Sequence, residues 1–469
     1  ILRHYVSLLS KLPRQAYYTL SGRHHTDLKR HISSMSAIND DEMLAQIELS
    51  EYLKTNSNSY DPKFAIVGCL PPDETGIAIF TLRQILTLPC SVDAFSPVRS
   101  SAYHLRNAVD VHKSTRGATK LHPMNSLLPL AELRDYDCII FVVGNSEHNI
   151  ESLRWMEIVS KYYPDMRIIC YLHDPHCHNV AQHTKLLDSN EYLQYLEKLY
   201  LKKLPVGDAG GLEGWRAHNI AIDAGILGAR IIAQMGATEI LVNSSEAVRL
   251  VRADLRDSKW ADTRITSLFH PVFEREPHVD SARASAKRTG KLRVGTFGGP
   301  SPAKRTELVL DAAAVLRKQG VDVEVVVAGY GAISYLENQF VFRVPEWVVG
   351  MEPRTERELQ MAMVDCDVAV QLRLQNLGES SGIIPLLIGI GVPTIVSPVG
   401  AFKEYAEAVR FFDGDSPEQL AQLIAGDNTA LSGHMAKYAE EHSIGKFQER
   451  FCELALDSSK AAEGGDRNV

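Results

Sequence analysis

Residues 292–299 have the sequence LRVGTFGG, a mostly apolar strand pattern that runs into two glycines. A helical pattern follows at 306–319, and a second apolar run, VEVVVAG, occupies 323–329. Strand patterns that alternate with helix-length segments are typical of a parallel sheet with crossover helices. Further strands are predicted at 367–372 and 394–397. We therefore interpret residues 291–428 as one α/β domain with a doubly wound, Rossmann-like sheet.

The same pattern occurs earlier in the chain and predicts a second Rossmann-like domain over residues 61–280. Its clearest predicted strands are Phe64–Gly68, Cys138–Val143, Arg167–Leu172 and Glu239–Val242. Residues 275–291 are polar and charged without a strand pattern, which predicts a linker between the two domains.

Three segments outside the two domains have their own patterns. Residues 1–60 are polar with apolar positions at helical spacing, which predicts an N-terminal helical extension. A last helix is predicted within 429–456, and the polar residues 457–469 are expected to form a disordered tail.

The composition limits the possible partners and compartment. With 469 residues, 45% of them hydrophobic, the chain can fill two cores, and its formal charge of -8 gives no electrostatic case for a nucleic-acid partner. The seven cysteines lie mostly in apolar runs, which favours a reducing compartment. No stretch approaches the roughly 20 apolar residues of a membrane span, and Arg3, His4 and Lys11 interrupt the apolar residues at the beginning. We expect a cytoplasmic protein.

An acidic turn, Gly378-Glu379-Ser380-Ser381-Gly382, precedes the apolar run that leads to Gly391. A turn of small residues that begins a helix offers backbone N–H groups to a phosphate, and a carboxylate beside it can bind a sugar hydroxyl. The pattern therefore suits a nucleotide-sugar. An ordinary connection between helix and strand would have the same residues.

Two cations follow the glycines of the first strand quoted above, in Gly298-Gly299-Pro300-Ser301-Pro302-Ala303-Lys304-Arg305. Positive side chains beside the positive end of a helix are unfavourable unless an anion binds there. This arrangement favours a phosphate site, and a solvated pair of cations is the alternative.

Histidines and a cysteine are concentrated in His173-Asp174-Pro175-His176-Cys177-His178, directly after a predicted strand. Adjacent His176, Cys177 and His178 cannot all point one way, and no second cluster supplies the spacing of common zinc sites. We expect no metal and place His173 and Asp174 at the sheet edge where doubly wound folds bind ligands, although a purely structural histidine fits as well. Asn145 and His148 end the preceding strand and are candidates to line the same cleft.

One more glycine turn, Pro71-Pro72-Asp73-Glu74-Thr75-Gly76, lies between the first strand and its helix. Gly76 would allow a ligand to approach the backbone closely, and a tight turn without a ligand needs the same glycine.

Taken in chain order, these motifs resemble the retaining glycosyltransferases of family 4, of the type that builds bacterial cell-surface polysaccharides. The resemblance covers about residues 64–410 and is carried by the Gly76 turn, Gly144-Asn145-Ser146, Leu172-His173-Asp174, the Lys304 loop and the Glu379 turn. It implies a GT-B architecture, in which two Rossmann-like domains face each other across a cleft. The C-terminal domain would hold the nucleotide-sugar donor, the N-terminal domain would hold the acceptor, and the last helix would pack back toward the N-terminal domain.

The resemblance also implies roles for individual residues. His173, Glu379 and Lys304 would be catalytic, with no metal or other cofactor; Asn145, His148 and Asp174 would line the acceptor side. The donor would be bound by Gly76, Gly299, Lys304, Arg305, Glu379, Ser380, Ser381 and Gly382. The acceptor would be a glycan or a lipid-linked saccharide, which is compatible with peripheral association at the inner face of a membrane.

The chain departs from the family pattern at two positions. Members often have a second acidic residue about seven positions after the first, where this chain has the apolar residues 384–388. They also often have an arginine where this chain has Gly298, and Arg305 or Arg373 is a candidate replacement. A nucleotide-sugar epimerase of the same architecture and a non-catalytic nucleotide-sugar-binding relative therefore remain alternatives.

Overall fold

The computed structural model describes residues 61–205, 214–273, 279, 290–340, 343–427 and 430–456. The predicted N-terminal extension, most of the predicted linker and the predicted tail lie outside these residues. The contacts between Cα atoms divide the chain into two compact units, with the division between Ile139 and Ile140.

The first unit alternates strands and helices from its first described residues. Its elements are β1 (Phe64–Val67), α1 (Gly76–Thr87), β2 (Val92–Ser96), α2 (Ser101–Ser114), β3 (Thr119–Pro123), α3 (Leu127–Leu133) and the beginning of β4 (Cys138–Val143). Helix α1 begins after Thr75, whose hydroxyl accepts a hydrogen bond from the backbone N–H of Ala78 at 3.1 Å. Strands β1, β2 and β3 pair in parallel.

The second unit continues the first sheet and adds a second one. After β4 its elements are α4 (Ile150–Tyr162), β5 (Ile168–Leu172), α5 (His178–Lys185), α6 (Ser189–Tyr200), α7 (Gly214–Asp223), α8 (Ala229–Gln234), β6 (Glu239–Val242), α9 (Ser245–Leu255) and β7 (Arg264–Ser267). The second sheet and its helices comprise β8 (Leu292–Phe297), α10 (Thr306–Lys318), β9 (Val323–Ala328), α11 (Ala332–Gln339), β10 (Val348–Met351), α12 (Glu356–Val364), β11 (Val368–Gln371), α13 (Ile383–Ile390), β12 (Thr394–Val396), β13 (Arg410–Phe411) and α14 (Pro417–Ala425). The chain ends with α15 (Leu431–Glu441) and α16 (Ile444–Leu456).

Both sheets have the strand order of doubly wound folds. The first sheet has seven strands in the order β3-β2-β1-β4-β5-β6-β7, and the second has six in the order β10-β9-β8-β11-β12-β13. In the second sheet β8 pairs in parallel with both β9 and β11. The loops after β8 and β11 therefore emerge at the point where the strand order reverses, which is where such folds bind ligands.

The second sheet is covered on both faces because its strands alternate between two cores. Val325, Val327, Val368 and Val370 pack on one face with α10 and α14. Phe297, Val326, Ala328 and Ala369 pack on the other face with α12 and α13. Near-continuous apolar strands are what a parallel sheet between two helix layers requires. The predicted α/β class with two Rossmann-like sheets is confirmed.

The single helix predicted near the C-terminus is two helices. The break at His442-Ser443 forms because this segment bonds to Val272, whose backbone N–H donates to His442 at 2.8 Å and whose carbonyl accepts from Ile444 at 3.1 Å. Helix α16 then lies against β5 and β6, where the Phe451 ring is 6.1 Å from that of Tyr171. None of the described helices has the length and apolar character needed to cross a membrane.

Candidate functional site

The loop after β8 makes room for a lysine. Gly298 has φ +86°, and a Cβ atom at this position would lie only 3.0 Å from Nζ of Lys304. Lys304 ends a short 3-10 turn at Pro302–Lys304, and α10 begins two residues later. The absence of a side chain at Gly298 therefore leaves space into which the Lys304 amine extends.

Arg373 is the second cation of this site. It follows β11, its backbone N–H donates to Oγ of Ser397 at 3.0 Å, and its guanidinium lies 5.6 Å from the centre of the Phe402 ring. Burial, and then the charge of Arg373, lower the pKa of Lys304 to about 8. Burial likewise lowers the pKa of Arg373.

These two cations lack an opposite charge in contact. Among the described residues, neither Lys304 nor Arg373 forms an ion pair, and Glu379 acts on Arg373 only through its longer-range charge. Two neighbouring, partly buried cations without a carboxylate in contact form an arrangement that an anion would stabilise.

Glu379 lies in a turn that its own side chain helps to close. Its Oε2 accepts a hydrogen bond from the backbone N–H of Leu377 at 2.8 Å, and its carbonyl accepts one from Asn376 Nδ2 at 2.8 Å. Burial is the main cause that raises the pKa of Glu379, and the negative charge of Asp174 adds to it. Glu379 and Asp174 are therefore close enough to interact.

The serines of the same turn have partners within the protein. Oγ of Ser381 accepts from the backbone N–H groups of Ile383 and Ile384 at 3.2 Å each, which caps α13. Oγ of Ser380 donates to the carbonyl of Asn243 at 3.2 Å. The contacts of these hydroxyls and of Gly382 with a donor remain a prediction.

The end of β6 holds the Glu379 turn in place. Ser244 donates its hydroxyl to the carbonyl of Gly378 at 2.7 Å and accepts from the backbone N–H of Ala247 at 3.0 Å. A Cβ atom at Gly378, which has φ +96°, would lie 2.9 Å from the backbone of Ala247. Only a glycine allows this close approach of the turn to α9.

The His-rich segment separates into residues that face the site and residues that stabilise the fold. His178 contacts the Tyr192 hydroxyl at 2.8 Å and the Ile226 carbonyl at 2.9 Å, and Cys177 lies buried against Gly228. The His173 ring packs against that of Tyr171, with 4.5 Å between ring centres and an angle of 34° between the ring planes. Among the described residues no group of three histidine, cysteine or acidic side chains could hold a metal ion.

His173 is a neutral imidazole near pH 7. Burial is the first cause that lowers its pKa, to about 3, and the neighbouring His270 is the second. His270, which follows β7, is a residue that sequence reasoning missed. Ser244 was missed as well. Both follow strands of the first sheet at its carboxyl edge, and that position alone could have marked them.

Asn145 and Asp174 connect the loops after β4 and β5. Oδ2 of Asp174 accepts from the backbone N–H of Asn145 at 2.8 Å, and Oδ1 of Asn145 accepts from that of Asn179 at 2.8 Å. Asn145 Nδ2 lies 2.9 Å from Nδ1 of His176. His148 lies in the short turn Glu147–Asn149 that follows.

Three further predicted donor residues are Arg305, Gly299 and Gly76. Arg305 has φ +54°, and its guanidinium donates to the carbonyl of Gly414 at 2.6 Å and also bonds to Asp415. Gly299 lies beside the carbonyl of Tyr330, 3.1 Å from the position of a Cβ atom. Gly76, in the first unit, is exposed at the beginning of α1.

No protein-family model and no curated protein matches the sequence. Solved structures do match. HepE of Anabaena, whose crystal structures contain UDP with glucose or UDP-glucose, is 13% identical over 84% of this chain and 99% of its own, with a TM-score of 0.53. Sucrose-phosphate synthase of Thermosynechococcus elongatus is 12% identical over 84% of this chain and 98% of its own, with a TM-score of 0.52. The two Rossmann-like sheets and these likenesses together show that the chain has the GT-B fold.

Proposed function

We propose that this protein is a retaining glycosyltransferase that moves a sugar from a nucleotide-sugar donor to a glycan or lipid-linked saccharide, in polysaccharide or glycoconjugate synthesis. The observation that carries the proposal is the pair Lys304 and Arg373. Both lie at the reversal point of the second sheet, both have lowered pKa values, and neither has a carboxylate in contact among the described residues. A nucleoside diphosphate would supply the missing negative charge.

Each side chain of the site then has a chemical task. As the bond between the sugar and the diphosphate breaks, Lys304 and Arg373 stabilise the charge that develops on the leaving group, whose departing phosphate oxygen takes the proton of the attacking acceptor hydroxyl. The Glu379 carboxylate accepts hydrogen bonds from hydroxyls of the transferred sugar. Neutral His173 donates a hydrogen bond near the anomeric carbon, and the acceptor hydroxyl attacks from the face that the diphosphate leaves.

The uracil nucleotide is the first donor to test, because HepE is seen with UDP and UDP-glucose. The two cations of this chain supply the charge that the diphosphate needs, so the proposal includes no metal. A cytoplasmic location, at the inner face of a membrane if the acceptor is lipid-linked, is part of the same proposal.

One observation favours a second candidate, a relative that binds the nucleotide-sugar without transferring it. In the first turns of α13, where the family often has a second carboxylate, Ile384, Leu387 and Ile388 lie in the cores, and Leu386 is an apolar, partly buried side chain. No side chain from these positions is available to bind the nucleotide's ribose.

The test combines binding with product analysis. UDP binding is measured by calorimetry, and UDP-glucose is then incubated with and without a mixture of saccharide acceptors while proton NMR follows the anomeric signals. We expect UDP to bind and glucose to be transferred or released with retained configuration. Lys304→Ala and Glu379→Gln should lose this reaction, while Lys318→Ala, an exposed position on α10, should keep it.

The outcomes separate the alternatives. Binding of UDP without turnover supports the binding-only relative. Conversion of UDP-glucose to its epimer without an acceptor identifies an epimerase. Absence of UDP binding, or full activity of both site variants, contradicts the assignment of the site.

A further inference from the structure

A cavity in the first Rossmann-like domain has a lining that does not include Lys304 or Arg373. It has a volume of about 550 Å³ and is lined by residues of α5, the first turn of α6 and the first turns of α7. A cavity of this size is in the range of small-molecule sites, which run from roughly 300 to 1,000 Å³. The function proposed above assigns no residue of this lining.

Two neighbouring polar side chains of the lining, Gln182 and His218, are uncharged near pH 7. Gln182 is 7% exposed, and its Oε1 lies 2.7 Å from Nε2 of His218. Burial lowers the pKa of His218 to about 4, so the ring is neutral near pH 7. Because Nε2 donates to Gln182, Nδ1 of His218 is left as a hydrogen-bond acceptor.

The remaining lining disfavours an anion. Asp188 supplies a carboxylate, Asn179, Ser189 and Asn190 supply neutral polar groups, and the described lining contains no lysine or arginine. A phosphate or a carboxylate would meet the like charge of Asp188 there. His183 also lines the cavity, and the nearby cation Arg216 lies against the Trp215 ring and is not among the described lining residues. Groups that both donate and accept hydrogen bonds suit hydroxyls instead.

An aromatic ring completes the cavity. The Trp215 side chain belongs to a residue that is 57% exposed and that lines the cavity beside His218. A large apolar ring among amides, hydroxyls and a neutral imidazole offers one surface for the C–H face of a sugar and several partners for its hydroxyls.

The cavity connects to the sugar end of the first site. Asn179, in its lining, donates its backbone N–H to Asn145 at 2.8 Å, and Asn145 donates its own to Asp174 at 2.8 Å. Asp174 in turn acts on the carboxyl of Glu379. Two hydrogen bonds and one electrostatic interaction therefore connect the cavity with the residue assigned to the donor sugar.

We infer that this cavity binds a neutral saccharide, with Trp215 as its stacking surface, and that this saccharide is the acceptor. The identification as acceptor rests on the proposed transferase function. The identification as a saccharide site does not.

The experiment uses the full chain on an array of neutral oligosaccharides, together with the same oligosaccharides bearing phosphate or carboxylate groups. Trp215→Ala is compared with Trp215→Phe, which keeps an aromatic ring. Trp260→Ala is the matched control, because each of these two indoles has a neighbouring cation: Arg216 lies 5.2 Å from the Trp215 ring, and Lys259 lies 4.7 Å from the Trp260 ring. UDP binding is measured on every variant.

We expect the protein to bind neutral oligosaccharides more strongly than their charged forms. Trp215→Ala should weaken this binding about tenfold, while Trp215→Phe and Trp260→Ala should stay within about threefold. UDP affinity should be the same in all four proteins. Binding of no neutral saccharide, a preference for charged forms, or unchanged binding in Trp215→Ala overturns the inference.

The failures of the two proposals are distinguishable. If saccharides bind in the expected way and UDP does not, the saccharide site stands and the transferase function fails. If UDP-glucose is cleaved but no saccharide binds, the cavity assignment alone fails.

Discussion

In the second unit, Arg167 and the pair Lys304 and Arg373 differ in the charges that surround them. Arg167 donates two hydrogen bonds to Glu239, at 2.5 and 3.0 Å, and two more to the carbonyls of Leu454 and Ala455, at 2.8 Å each. Lys304 and Arg373 instead lie near each other, and the charge of Arg373 lowers the pKa of Lys304. Arg167 has its opposite charge within the folded chain, whereas we propose that Lys304 and Arg373 obtain theirs from a bound anion.

Because of this difference, we expect Arg167 to contribute free energy to folding, and Lys304 and Arg373 to contribute it to binding. The Arg167 contacts attach the end of α16 to the first sheet, so their effect appears in folding. Burial of the charges of Lys304 and Arg373 opposes folding; under the proposed function these charges become favourable when the diphosphate binds, and their effect is then expected in affinity and catalysis. Four experiments test this distinction.

The largest effect is expected from Arg167→Met. Among the described residues it leaves the Glu239 carboxylate, 9% exposed, with Arg264 at 3.6 Å as its remaining cation, and it removes the side-chain donor to two carbonyls of α16. We expect a loss of about 3–5 kcal/mol in the free energy of unfolding, measured in urea. The double variant Arg167→Met/Glu239→Leu should recover part of it. A loss below about 1 kcal/mol would show that this pair is no more than a surface ion pair.

Lys304→Met should have the opposite profile. Removing one charge-assisted hydrogen bond of about 1.5–3 kcal/mol weakens UDP binding by roughly 10- to 150-fold. The free energy of unfolding should stay unchanged or rise, because a desolvated charge is removed. Calorimetry and urea unfolding on the same sample measure both, with Lys318→Met as the control. Undiminished UDP affinity would refute the role of Lys304.

The pH dependence of UDP binding should follow Lys304. Its amine is a cation below a pKa of about 8 and neutral above it, so affinity is lost as the pH rises. Between pH 7 and pH 9 we expect the dissociation constant to rise about tenfold, since the phosphates are already ionised in that range. Lys304→Arg should flatten the curve by keeping its charge. An equally steep curve in Lys304→Met would assign the titration to another group.

The same titration has the reverse sign for stability. The pKa of Lys304 is lower in the folded protein than its ordinary value of 10.5, so the unfolded chain binds more protons between about pH 8 and 10.5. The contribution of Lys304 to stability therefore rises with pH over this window and is least favourable below it.

The smallest effect is expected from Ser244→Ala. It removes the cap of α9, which costs about 0.5–2 kcal/mol of stability, and it also releases the carbonyl of Gly378 beside Glu379. We expect the rate of UDP-glucose cleavage to fall several-fold with little change in UDP affinity, and Ser244→Thr to restore it. Ser416→Ala removes a similar cap from α14 without touching the Glu379 turn, and its rate should be normal. Equal losses in both would mean that Ser244 acts through stability alone.

Most strands could be predicted from the sequence because parallel strands buried on both faces are continuous apolar runs. Strands β4, β8 and β9 coincide with predicted runs to within one residue. The helix predicted within 429–456 was not one helix, because its break depends on a bond to Val272, far away in sequence. Local periodicity carries no information about such a partner.

The sequence by itself determined the α/β class, the alternation of strands and helices, and the glycine turns that follow the strands. It also indicated His173, Lys304 and Glu379, since they lie next to the ends of predicted strands or the beginnings of predicted helices. The sequence did not show which cations lie together. In the folded chain Arg305 bonds to Asp415, and Arg373 is the cation that lies near Lys304. The reason is that periodicity and turn chemistry are local, whereas the electrostatic environment of a side chain depends on elements that meet only when the sheet is assembled.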